Sequence, residues 1–124
     1  MGLIGIVRGN ASQADVVKIK KEFSKILMAK EEIHRVYKYI RDFFVFTDKR
    51  IVIVKRLDLI GKKTNYRSIA YNKILRFSIE TSGHFELDQA IEIWCAGMPD
   101  SIKWTFNRGF DIYEFQGAIA EYIL

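Results

Sequence analysis

The sequence predicts an α+β fold that is mainly β: about seven short strands in a bent antiparallel sheet or partly open barrel, with one helix ahead of them and another capping one end. Three observations carry this. Residues 43–54, Phe-Phe-Val-Phe-Thr-Asp-Lys-Arg-Ile-Val-Ile-Val, place two runs of β-branched and aromatic residues around a polar Thr47-Asp48-Lys49-Arg50 centre, as a tight hairpin requires. Short stretches of alternating character recur from residue 33 to 107, punctuated by turn residues. Apolar residues at helical spacing occur instead near the two ends of the chain.

At 124 residues the chain has the length of one domain, divided here into a helical segment (1–30), a β region (31–107) and a capping helix (111–124). Ser12-Gln13-Ala14-Asp15 has the spacing of a helix N-terminus, where a hydroxyl accepts from an orphan amide and an acid meets the positive end of the dipole. Val16, Ile19, Phe23, Ile26 and Leu27 then share one face over three or four turns, and Lys18, Lys21 and Lys25 the other. Those lysines read first as the wet side of a packed helix.

Residues 33–40 form the first expected strand, with Tyr37 and Tyr39 on one side and Val36, Lys38 and Ile40 on the other. Arg41-Asp42 leaves only a tight connection into the hairpin. Residues 56–61 are expected to turn, 63–69 to form a strand, and 71–73 to break the chain before a strand over 74–80. After Ser82-Gly83 comes a strand over 85–94. Gly97-Met98-Pro99-Asp100 turns the chain, and Ile102, Trp104 and Phe106 alternate with polar residues in the last strand. Asp111-Ile112-Tyr113-Glu114 repeats the cap spacing, and Ile112, Phe115, Ile119 and Tyr122 mark the buried face of the closing helix, which Gly117 weakens slightly.

The composition, 49% hydrophobic and 28% charged, is that of an ordinary globular protein. Apolar runs such as Ile51 to Val54 are far shorter than the ~20 residues that cross a bilayer. The start lacks a basic region and a cleavage site, and Ile6 stands where a myristoylation signal wants Ser or Thr, so a cytoplasmic location is expected. One cysteine, Cys95, offers neither a disulfide nor a metal set.

Net charge is +5, but unevenly spread: +3 over residues 1–29, +8 over 30–76 and −6 over 77–124. Oppositely charged faces let a molecule associate head to tail with its own copies. The residues expected to make such contacts are Arg41, Lys49, Arg50, Lys62, Lys63 and Arg67 on the basic side, with Glu86, Asp88 and Glu92 on the acidic side.

Catalysis needs groups that act together. His34, His84 and Cys95 have no spacing that pairs them, and no phosphate loop, dinucleotide fingerprint or zinc spacing occurs. The expectation is a non-enzymatic module without a cofactor. Glu86, Asp88 and Glu92 could hold a divalent cation but read first as a solvent face. Two alternatives come from the basic surface. Lys49, Arg50, Lys55, Arg56, Lys62, Lys63 and Arg67 with Tyr66 would suit nucleic acid. Leu3, Ile4, Ile6 and Val7 with the helix lysines would suit an anionic membrane.

The chain resembles the bacterial pleckstrin-homology-like family. The resemblance runs through Ile40-Arg41-Asp42, Phe46-Thr47-Asp48-Lys49-Arg50, Gly61-Lys62-Lys63, Ser68-Ile69, Ile93-Trp94 and Asp111-Ile112-Tyr113-Glu114. It implies a seven-stranded, strongly bent antiparallel sheet closed by a C-terminal helix. It also implies closed homo-oligomeric rings, five-membered, that contact another protein near adjoining protomers' strands. Specific phosphoinositide binding is not expected. Eukaryotic relatives surround phosphates with Lys and Arg in an open loop between the first two strands, where this chain has only Arg41-Asp42.

Overall fold

Ser12 starts the first helix as its spacing predicts. In the computed structural model, which describes residues 7–60, 62–81, 83 and 88–124, its Oγ accepts from the Asp15 amide at 3.1 Å and helix α1 runs over Gln13–Glu22. The helix tightens into a 3₁₀ turn over Phe23–Lys25, so its last apolar residues, Ile26 and Leu27, follow just beyond it, their amides both donating to Phe23 O. The expected face holds nonetheless: Ile19 and Phe23 are buried, with Val16, Ile26 and Leu27 packed around them.

Four strands follow, in the order β1 (Ile33–Tyr39), β2 (Asp42–Thr47), β3 (Arg50–Arg56) and β4 (Thr64–Ala70). β1, β2 and β3 pair as antiparallel neighbours, with Val36 opposite Val45, Val45 opposite Val52 and Phe43 opposite Val54. This row lies under α1. The alternate row, Tyr37, Phe44, Phe46, Ile51 and Ile53, is buried as well, which is why the hairpin reads as continuous apolar runs instead of a clean alternation.

Two boundaries differ from the sequence expectation. Thr47 and Arg50 end β2 and open β3 instead of lying within the turn, because Thr47 Oγ1 accepts from the amides of both Lys49 and Arg50 at 3.0 Å and closes the loop over two residues. Ile40 leaves β1 altogether. Tyr39 pairs with Asp42, so Ile40 and Arg41 form a two-residue hairpin loop, and Ile40 takes a left-handed φ of 58°, an outlier for a β-branched side chain.

The outer side of β1 is sealed by the chain's own N-terminal segment. Arg8 donates to His34 O and accepts from Val36 N, making a parallel bridge, and Ala11 donates to Val36 O. Asn10 completes the seal with Nδ2 to Lys38 O at 3.1 Å and Oδ1 from Lys38 N at 2.6 Å. Gly9 makes the close approach feasible at φ 114°, since a Cβ there would lie 2.1 Å from Val36 O.

Contacts divide the chain into two compact units, the first ending at Ile69 and the second beginning at Ala70. In the second, a 3₁₀ turn over Tyr71–Lys73 leads into β5 (Ile74–Glu80), β6 (Asp88–Cys95) and β7 (Ile102–Asn107), paired antiparallel in that order. The early part of the strand expected over 85–94, with the Ser82 end of the preceding turn, lies outside the described residues. Gly97 has φ 79° in the expected turn before β7.

Helix α2, Ile112–Ile123, starts at Asp111, whose Oδ1 accepts from the Glu114 amide at 3.1 Å. Ile112, Phe115 and Ile119 are buried, and Tyr122 stacks on Tyr71 at 4.8 Å. Phe106 and Phe110 stack at 4.2 Å and both meet Phe115 edge-on. Among the described residues there are thus seven strands in two sheets, with a helix before and a helix after.

Candidate functional site

The β2–β3 turn is anchored from behind. Asp48 accepts from Glu32 N at 2.8 Å and returns its own amide to Glu32 O. Beside it the buried Glu31 carboxylate accepts from Met28 N, Thr47 Oγ1, and Arg50 Nε and Nη2. Burial alone would raise the pKa of this carboxyl. The Arg50 guanidinium, the Thr47 hydroxyl and the Met28 amide outweigh it and hold the carboxyl at about 2. Arg50 reaches further, to Ser68 Oγ and Ile26 O. Its charge is therefore used inside the first unit.

A second ion pair lies along the same face. Arg56 places both terminal nitrogens on Glu22, at 2.7 and 2.9 Å, and Tyr66 donates its hydroxyl to the same carboxylate. Glu22 is held below the usual carboxylate range by Arg56 first, against the effect of burial, with help from Tyr66. Burial and the Glu22 charge push the Tyr66 phenol up. Of the strip that suggested nucleic acid, Arg50, Arg56 and the Tyr66 platform are thus committed to acids of the same unit.

At the opposite end of these strands, two loop tips meet. Arg41 Nη1, from the β1–β2 turn, donates to Asp58 O at 2.8 Å. The Asp58 carboxylate accepts from the amides of Lys62 and Lys63 at 2.9 and 3.0 Å. Three of the expected contact residues, Arg41, Lys62 and Lys63, thereby gather around one aspartate. Between the tips an open cleft of about 280 Å³ is bordered by Lys18, Lys38, Ile40, Leu59 and Ile60, with Phe43 at its base. Lys38 and Arg56 lie over the Phe43 ring at 5.9 and 5.6 Å. Lys38 also approaches Asp15 at 3.5 Å. The tip aliphatics stand out into solvent: Ile40 is 71% exposed, Leu59 93% and Ile60 75%. Sequence reading missed them, since Ile40 reads as strand and Leu59-Ile60 as ordinary turn flank; an aliphatic pair beside Gly61 in an otherwise charged loop was the available signal.

The remaining expected residues are dispersed. Lys49 is exposed at the β2–β3 turn and Arg67 on β4. Asp88 is exposed at the start of β6, and Glu92 accepts from Ser101 Oγ and faces Lys103 across the strand pair. Glu86 and His84 lie outside the described residues, as do Leu3, Ile4 and Ile6. The two units nonetheless differ sharply in charge. The first carries sixteen basic and seven acidic residues, the second four and eight.

β4 contrasts with β1. It is the outermost strand of its sheet, and from Asn65 to Ser68 it is exposed on both faces. In the second sheet the end strand β5 exposes Leu75, 68% accessible. Cys95 is buried, and burial pushes its thiol up, away from reactive thiolate. Among the described residues no group of three His, Cys, Asp or Glu side chains is placed to hold a metal ion, and no helix is long and apolar enough to cross a membrane.

The sequence matches the bacterial PH domain family over residues 2–123. This chain belongs to that family. The bacterial PH domain is 38% identical over 121 residues to the uncharacterised protein YjqA of Bacillus subtilis, covering 97% of each chain. Its fold is similar to that of a pleckstrin homology domain from Shewanella amazonensis, with a TM-score of 0.82, 40% identity and 94% of both chains covered. A pleckstrin-homology protein from Shewanella loihica is similar at a TM-score of 0.77 and 33% identity, over 94% of this chain and 99% of that one. A PH-domain protein from Exiguobacterium sibiricum shares the fold at 17% identity and a TM-score of 0.63. The PH-like architecture implied by the hairpin, the strand series and the closing helix is therefore that of this chain.

Proposed function

We propose that this bacterial PH domain is a non-enzymatic module that assembles with copies of itself into a closed ring and presents that ring to a protein partner. One observation carries the reading: the two outer edges of the first sheet are treated differently. β1 is covered by Arg8 to Ala11 and by the Asn10 side chain, whereas β4, the other end strand, has no further strand beside it among the described residues. An uncovered edge strand is a template for another chain, and proteins block it unless it is used.

Charge supports a second copy as the occupant. The open edge carries Arg67 and follows Lys62 and Lys63, while the second unit is net acidic and exposes Asp88. A contact between unlike surfaces needs no twofold axis, so repetition closes into a ring when the rotation per copy divides the circle. Acid pairing also sets this above nucleic acid, because Glu22 and Glu31 already engage Arg56, Tyr66 and Arg50.

Light-scattering mass in solution tests the proposal. A discrete multiple of 14.5 kDa is expected, falling in Arg67→Glu and Lys63→Glu. A strict monomer, or an oligomer whose mass neither substitution changes, overturns the electrostatic edge contact. A monomer that binds oligonucleotide in low salt would replace it with the nucleic-acid alternative.

A further inference from the structure

We infer that the outward face of helix α2 receives the lysine-bearing face of helix α1 from a second copy of the chain. This docking rests on the self-assembly proposed above and names the part of the acidic second unit that the neighbouring copy meets.

Helix α2 is apolar around more of its circumference than its own unit covers. Ile112, Phe115, Ala118 and Ile119 are buried. Tyr113, Gly117, Ala120 and Leu124, at steps of four, three and four, share the opposite side, and Tyr113 is 64% exposed. Apart from the two tyrosine hydroxyls, the polar side chains of the helix are Glu114, Gln116 and Glu121. A helix with large apolar groups on both sides is normally covered on both.

Gly117 supplies the deciding observation. It lies in regular helix without a positive φ, and a Cβ placed on it would meet nothing within 4 Å. Glycine in mid-helix is less stable than alanine, yet neither the backbone nor the packing within the chain asks for it. A missing side chain does allow another molecule to come close. Tyr113, one turn earlier on the same face, is of the type that anchors protein contacts.

Charge selects the occupant. Residues 111–124 include Asp111, Glu114 and Glu121 and no Lys or Arg, so a second α2 would bring like charge to like. Helix α1 brings the complement: Val17 is 62% exposed, with Lys18 and Lys21 exposed beside it. Val17 can seat over Gly117 while the lysines reach the glutamates. The end of α1 also borders β4, since Glu22 accepts from the Tyr66 hydroxyl and Phe23 meets the Tyr66 ring edge-on at 6.1 Å. A neighbour that reaches β4 therefore reaches α1 too, and the two surfaces differ, as a ring contact requires.

Sedimentation equilibrium of the full chain and of Gly117→Gln tests the inference. The substitution improves helix propensity and fills space the chain leaves open, so helical content by circular dichroism should be undiminished. The concentration at half-assembly should rise at least about tenfold. Lys21→Glu and Glu121→Lys should each raise it about fivefold, and combining them in one chain should restore much of the loss. Met98→Ser, at an exposed turn of the second unit, should change nothing. In a mixture of isotopically light and heavy chains, carbodiimide should couple Glu114 or Glu121 of one to an α1 lysine of the other. An assembly unmoved by Gly117→Gln, weakened as much by Met98→Ser, or cross-linked between copies only elsewhere overturns this docking and leaves the ring standing. A strict monomer at every concentration overturns the ring, and this docking with it.

Discussion

Arg50 grips Glu31 with two prongs, Nε to Oε2 at 2.9 Å and Nη2 to Oε1 at 3.0 Å. The pair also gathers the end of the first helical segment through Ile26 O, the hairpin through Thr47 and the β4 strand through Ser68. One ion pair therefore fixes three parts of the first unit to each other, with the Glu31 side chain fully removed from solvent.

Glu31→Gln should destabilise the protein by about 3 kcal/mol at neutral pH, since it leaves Arg50 without its counter-charge. The acid limb should change too. Glu31 has a folded-state pKa of about 2, below its ordinary value of 4.5. Its stabilisation is therefore complete above about pH 4.5 and is lost as pH falls towards 2, a loss on the order of 3 kcal/mol. Urea unfolding across that window should show a steep decline in the parent and a shallower one in the variant.

Gly9→Ala should cost about 3 kcal/mol or more, because the new Cβ would meet the Val36 carbonyl and the residue would be held at φ 114°. The Val36 amide, which donates to Arg8 O at 2.8 Å, reports the outcome locally. Its hydrogen exchange should accelerate more than that of Val45, which sits one strand inward. Equal protection in both proteins would mean that the seal over β1 does not depend on this glycine.

Ile40→Gly should raise stability by about 1 kcal/mol, net of the extra freedom glycine gains in the unfolded chain. The thermal midpoint should rise by a few degrees. A lower midpoint would show that the Ile40 side chain repays its strained backbone by packing within the protein.

Asp111→Ala should remove the cap of α2 and about 1 kcal/mol with it, since Asp111 Oδ1 accepts from Glu114 N. Thermal unfolding followed in the far ultraviolet measures the loss. No change would mean that the packing of Phe115 against Phe106 and Phe110 alone decides the helix start.

Much of the fold was legible because the relevant physics is local. The cap spacings at Ser12 and Asp111, the strands over 74–80 and 102–107, and the buried faces of both helices all depend on neighbours in sequence. Ile40 was not legible, because β-branching favours a strand while the two-residue connection to Asp42 forces a left-handed turn. Glu31 read as the polar start of a strand, since nothing within nineteen residues announces that Arg50 will fold back onto it. The candidate site suffered most. Arg41 and Lys63 were identified as surface cations, but their convergence on Asp58 joins turns that are separate in sequence, and the exposed aliphatics beside them follow no periodicity at all.

Cys95 gives the molecule an internal gauge. As the sole thiol of the chain, buried at the end of β6 with its ionisation suppressed, it is shielded from alkylating reagents until the surrounding strands part. The speed of maleimide capture then counts how often the second unit opens. Comparing dilute protein with concentrated protein would reveal whether self-association slows that opening, without any foreign label in the native fold.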